Sequence, residues 1–194
     1  MKTTVALLLI LLVAGVCLGS PNRAVENIHL DLGDGTNCAW PEPDQTFVVR
    51  IYLDNLDAIG CETDGITGIS FKFERTFGGL KIRQTSLLGG TDLGDVEADG
   101  WWCSTGGFCV EPDAAGVILV GEVEYQYSGV PGVIDVVPHS ANGRVIADCG
   151  YGLCDWNLPD PPGGVGGVGM EPPRGCGAVP VDSSTWGMVK ALYR

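Results

Sequence analysis

The sequence predicts an all-β domain built as an antiparallel β-sandwich, and three observations carry that expectation. Apolar residues recur at every second position in several stretches. Gly, Pro, Asn and Asp punctuate the intervals, and the central chain keeps no long helical period. A closed barrel is the second architecture compatible with the pattern, because alternation alone does not decide closure. With 194 residues the chain suits one domain with a substantial core and a tail.

The expected strands follow in chain order. Within residues 25–32, Ile28, Leu30 and Leu32 fall on one face. Within residues 45–54, Phe47, Val49, Ile51 and Leu53 point one way while Val48, Arg50 and Tyr52 point the other. Ile69, Phe71 and Phe73 then alternate with Ser70, Lys72 and Glu74, and Leu80 and Ile82 alternate with Lys81 and Arg83 after the Gly78-Gly79 turn. The longest run covers residues 117–127, with Glu122, Glu124 and Gln126 on its wet face. Residues 133–137 and 144–147 complete a set of about seven.

The flanks differ from this centre. Residues 1–19 read as a cleaved secretory signal: Lys2 gives the positive start, and residues 5–14 form an apolar run too short to span a bilayer. Small residues at Gly15, Gly19 and Ser20 favour a cut after Gly19. A lipoprotein signal acylated on Cys17 is the alternative leader. The sandwich domain would then occupy residues 20–158, and the Gly- and Pro-rich stretch 159–178 reads as a linker. Its GVGGVG run lacks the preceding strand and following helix of a dinucleotide fingerprint. Residues 179–194 read as a short amphipathic helix or sorting tail. Asp182, Ser183 and Ser184 offer caps, Trp186, Val189, Leu192 and Tyr193 form a docking stripe, and Lys190 and Arg194 sit near the end.

An exported chain in an oxidising compartment is expected to use its cysteines as bridges. Seven remain after the leader. Cys103 with Cys109 and Cys149 with Cys154 flank short loops, and Cys38 with Cys61 is the third expected pair. Cys176 is left over, free or joined to a second molecule, with connectivity open to rearrangement. A zinc site lacks both a two-residue Cys spacing and a neighbouring His.

The net charge of −13 excludes nucleic acid and an anionic membrane surface as electrostatic partners. Catalysis is not expected. Only His29 and His139 are present, neither near a GxSxG elbow, and His139 and Ser140 as strand neighbours point to opposite faces. Glu122 and Glu124 share a sheet face, and two carboxylates are the requirement of glycoside hydrolysis, but a solvated strand face explains them more simply. Calcium is the one cofactor suggested. The run presents Asp92, Asp95, Glu97 and Asp99; from Asp95 onward the oxygens fall at alternating positions before Gly100, although the twelfth loop position is Gly106 rather than a bidentate acid. The Asp31/Asp34 and Asp54/Asp57 pairs are lesser candidates. Trp101 and Trp102, ahead of a loop carrying Phe108, suggest either core packing or a flat platform for stacking on sugars.

The closing string STWGMVKALYR resembles the C-terminal ending of a group of uncharacterised secreted bacterial proteins. Within residues 45–148 the segments FVVRIYLDN…GC, GISFKFE and GRVIADC are similar to the sandwich region of that group. The same region distantly resembles the cohesin and carbohydrate-binding-module domains. This resemblance implies a cohesin-like or immunoglobulin-like sandwich with a binding or scaffold role, and it carries over no catalytic or ligand-binding residue. The expected function is therefore a secreted or cell-surface, non-enzymatic binding or assembly module. Its partner would be an extracellular protein or polysaccharide, or a second copy reached through Cys176 or the C-terminal helix.

Overall fold

The computed structural model describes residues 27–54, 56–157, 166–172 and 175–177. The leader, Cys17 and the docking stripe Trp186, Val189, Leu192 and Tyr193 lie outside the described residues. Twelve strands are described: β1 (Ile28–Asp31), β2 (Cys38–Ala39), β3 (Thr46–Leu53), β4 (Ile66–Arg75), β5 (Gly79–Ser86), β6 (Asp92–Asp95), β7 (Gly100–Ser104), β8 (Ile118–Tyr127), β9 (Gly132–Val137), β10 (Val145–Asp148), β11 (Leu153–Asp155) and β12 (Gly166–Val168). A single 3-10 turn, Leu56–Ile59, interrupts them. The described protein is all-β.

The strands form two sheets. The first runs β1-β3-β8-β5, antiparallel throughout. The second is organised around β4. Strands β7 and β10 pair with overlapping parts of β4, at Gly68–Phe71 and at Ile66–Ile69, so they occupy opposite edges. Strand β9 pairs with the other half of β4, from Lys72 to Arg75. Beyond these lie β6 on β7, β11 on β10, and β12 on β9. The last neighbour, β2, is parallel to β12.

The alternation read in the sequence becomes one hydrophobic cluster shared by both sheets. Val49, Ile51, Val123 and Tyr125 come from the first sheet, and Ile69, Phe71, Trp101, Val136 and Ile146 from the second. Gly121 of β8 shows how closely they meet, since a Cβ there would lie 2.7 Å from the Trp101 ring. Polar side chains close the gap between β5 and β6. The Gln84 amide nitrogen donates to Gly94 O (2.8 Å), and its Oε1 accepts from Val96 N (3.1 Å) and from Lys81 Nζ (3.1 Å).

Three expectations are corrected here. First, the bridges are Cys38–Cys176, Cys61–Cys154 and Cys109–Cys149, while Cys103 carries a buried free thiol. Strand alternation is the reason for Cys103: Trp101 and Cys103 face the core with Trp102 between them facing out, so the thiol turns away from Cys109. Cys149 and Cys154 flank the β10–β11 turn and reach different loops, and Cys38 lies on β2, far in pairing order from Cys61 at β11. Second, Cys176 is consumed within the molecule and is not left for a partner. Third, part of the expected linker is a buried strand. Gly167 N donates to Asn37 O and Gly169 N to Ala39 O, and a Cβ at Gly166 would lie 2.8 Å from Leu32. The glycines of β12 serve close packing rather than a flexible connection.

Candidate functional site

The outward face of β6, β7, β10 and β11 carries the site. Trp102 of β7 is opposite Leu93 on β6 and Ser70 on β4. Its ring lies over Gly68, where a Cβ would come within 2.9 Å of it. The missing side chain lets the indole lie across β4, half-buried. Ala147 of β10 continues the face across from Gly68, and Leu153 of β11 continues it from Ala147. Leu93 and Leu153, at the two edges of this face, are 60% and 75% exposed.

One end of this face is closed by the loop that joins β9 to β10. His139 pairs with Gly143 across the loop, and His139 Nδ1 accepts hydrogen bonds from Ala141 N (3.0 Å) and Asn142 N (3.2 Å). The imidazole packs on Gly100, whose missing Cβ would otherwise meet the ring at 2.5 Å. Ser140 N donates to Asp99 O (3.0 Å), tying the loop to the residues before β7. Together they enclose an open cleft of about 740 Å³, lined by Leu93, Trp102, His139, Asn142, Val145 and Leu153. Its walls are apolar, with Asn142, His139 and Asp99 at the polar margin.

The two tryptophans therefore divide the roles between them. Trp101 is fully buried, packs edge-on against Phe71 with ring centroids 5.7 Å apart, and belongs to the core. Trp102 is on the cleft. Phe108 is not beside it: it projects 77% exposed from the loop after β7.

The calcium candidates are not brought together. Asp95 pairs with Lys81 and accepts Glu97 N, and Glu97 pairs with Arg75. Arg75 is itself held by Phe77 O (2.9 Å) and Gly79 O (3.1 Å) and lies over the Phe77 and Tyr125 rings. Partial burial opposes ionisation of Asp95, yet Lys81 and the Glu97 N–H hold its carboxyl below the ordinary value. Asp92, at the start of β6, and Asp99, just before β7, are exposed. Among the described residues no group of three or more His, Cys, Asp or Glu is placed to hold a metal. Asp95 and Glu97 serve as counter-charges for Lys81 and Arg75.

The remaining candidates have structural partners as well. Glu122 binds Arg50 Nε (2.9 Å), Asp31 stands 3.6 Å from the same guanidinium, and Glu124 pairs with Arg83 at 3.4 Å. Burial is the largest single influence on Arg50 and lowers its pKa, but the hydrogen bond and charge of Glu122 together with the charge of Asp31 outweigh it, and the net shift is upward. His29 Nε2 meets Asp54 at 2.9 Å, and Asp31 accepts Gly33 N. Asp34 sits at a positive-φ turn, while the Asp57 side chain lies outside the description. The Cys103 thiol is pushed far up by burial, which leaves it unreactive.

Sequence reasoning missed Leu93, Val145, Leu153 and Asn142 as cleft residues. Only the adjacency of Leu93 to an acidic run hinted at an apolar residue left in water. The chain matches no protein-family model, no curated protein and no solved structure. Two features bear on compartment and membrane. The three disulfides are the chemistry of an oxidising compartment. Among the described residues no helix is long and apolar enough to cross a membrane.

Proposed function

We propose that this protein is an exported, non-enzymatic β-sandwich of the cohesin-like kind that binds an extracellular partner through the Trp102 cleft. One observation carries the reading. A half-buried indole lies over a glycine in an open apolar cleft, between two exposed leucines, and a disulfide anchors the cleft's β11 edge. A rigid aromatic of this kind binds with little ordering cost, which is the property of interface anchors. The engagement of Glu122, Glu124, Glu97 and Asp95 with Arg or Lys side chains supports a binding role over hydrolysis. The leader read from residues 1–19 and the three bridges support export.

The indole face and the polar margin of Asn142, His139 and Asp99 favour polysaccharide as the partner over a charged ligand. The test is pelleting with insoluble cellulose and chitin, together with titration of soluble oligosaccharides against tryptophan fluorescence. Wild-type protein is expected to bind saturably, and Trp102→Ala to lose binding while melting as a folded protein. Unchanged binding in Trp102→Ala would sink the cleft as the site.

A further inference from the structure

We propose that the loop end beside the Cys109–Cys149 bridge is a docking site for residues 183–194 of a second copy of the chain. This surface is distinct from the Trp102 cleft and stands whether or not that cleft binds a ligand. Three loops, residues 60–65, 105–116 and 149–152, converge there. The Cys109–Cys149 bridge joins two of them, Glu62 N donates to Asp148 Oδ2 (2.8 Å), and Cys149 N donates to Gly65 O (3.1 Å). Phe108 and Tyr151, each within two residues of the bridge, are 77% and 89% exposed.

Both aromatic residues are held on ordered backbone. Tyr151 adopts φ +65°, its N–H bonded to Asp148 O (3.3 Å), and Gly152 N donates to the Asp148 carboxylate (2.7 Å). The Thr105 hydroxyl bonds Phe108 O and Thr67 O, and Gly107 N bonds that same hydroxyl. Rings kept in water on rigid loops bind with little loss of entropy. Around them stand Glu62, Asp64 and Glu111, all exposed, and the three loops contain no Lys or Arg. The complementary partner is a short cationic segment with aromatic and aliphatic side chains.

Residues 183–194 have that chemistry: Lys190 and Arg194 without any acid, and Trp186, Val189, Leu192 and Tyr193 at helical spacing. A helix formed by so short a segment would need its apolar stripe covered to persist. The fold separates the two surfaces. Gly177 is bonded to Asn37 beside β2, at the Arg75 end of β4, whereas the acidic loops lie at the Ile66 end. Ten residues of strand put roughly 30 Å between those ends. Docking between copies is then head to tail, a heterologous contact that repeats.

The test uses the full chain and a fluorescent synthetic peptide of residues 183–194. The receptor carries Lys190→Glu and Arg194→Glu, so that its own tail does not compete. Saturable binding is expected, weakened about tenfold (about 1.4 kcal/mol) by Phe108→Ala with Tyr151→Ala, and weakened by salt as the Debye length shrinks. A thermal melt checks that the double variant is folded, and Trp102→Ala should leave peptide binding unchanged. In sedimentation equilibrium the wild-type chain is expected to associate with concentration and the charge-reversed chain to stay monomeric. No peptide binding, or equal binding by the Phe108/Tyr151 variant, overturns the proposal. So does a monomeric wild type that excludes the peptide while the charge-reversed chain accepts it, because the tail would then dock on its own molecule.

Discussion

The two sheets are built by different means. In the first, β3, β5 and β8 have eight to ten residues, and none of its strands contains a cysteine. In the second, only β4 is longer than six residues, and every bridge is anchored on this sheet or on the loops beside it. Long alternating strands bury enough apolar area to hold their register. Strands as short as β2, β11 and β12 cannot, and two of them carry a bridged cysteine, Cys38 in β2 and Cys154 in β11. The exposed rings and leucines of the candidate surfaces lie mainly on the bridged sheet. Covalent ties let that sheet keep apolar side chains in water without depending on them for stability.

The largest effect that would test this contrast comes from a bridge. Cys61–Cys154 closes a separation of 93 residues, for which loop-closure entropy gives about 4–5 kcal/mol and measured removals of native bridges give roughly 2–5 kcal/mol. Cys61→Ser with Cys154→Ser is expected to lower unfolding free energy within that range. Hydrogen exchange should accelerate in β10 and β11 while β3 and β8 remain protected. Uniform acceleration across both sheets would mean that the bridged sheet has no separate dependence on its ties.

The next effect separates adjacent residues of one strand. Trp101→Ala removes a fully buried ring and is expected to cost about 3–5 kcal/mol. Trp102→Ala, on the open cleft, is expected to cost about 1 kcal/mol, in line with its partial burial. Denaturant unfolding of the two variants reads the difference directly. Equal costs would place Trp102 in the core and remove the physical basis of the cleft as a binding surface.

The same contrast explains how much was legible in the sequence. Val49, Ile51 and Leu53 announced β3, and Val123 and Tyr125 announced β8, because period-two alternation is a local property that a strand buried on one face must show. Strands β2, β11 and β12 have two or three residues each and no room for a period. Their positions depend on neighbours distant in sequence: β12 lies between β9 and β2, and Cys154 reaches back to Cys61. Glycine composition was misleading at residues 166–168, where it reports backbone approach rather than freedom. At the cleft, Trp102 was visible as one of two options, but Leu93, Val145 and Leu153 meet only through the pairing of β6, β7, β4, β10 and β11.

The smallest effect lies where the two sheets approach each other at β5 and β6. Asp95 faces Lys81 across that gap, and its folded pKa is depressed while the unfolded carboxyl titrates near its ordinary value of about 3.9. Its contribution is thus present above the unfolded value and lost as pH falls through the lower folded one. Asp95 is half exposed, so solvent screening keeps that contribution small. Melting temperature followed from about pH 5 to about pH 2 should fall less steeply in Asp95→Asn than in the wild type. Gln84 spans the same gap with neutral hydrogen bonds, so Gln84→Ala should lower the melting temperature without altering the acid slope. An acid slope unchanged in Asp95→Asn would leave the seam to Gln84 alone, and Lys81 would then act through its bond to that amide.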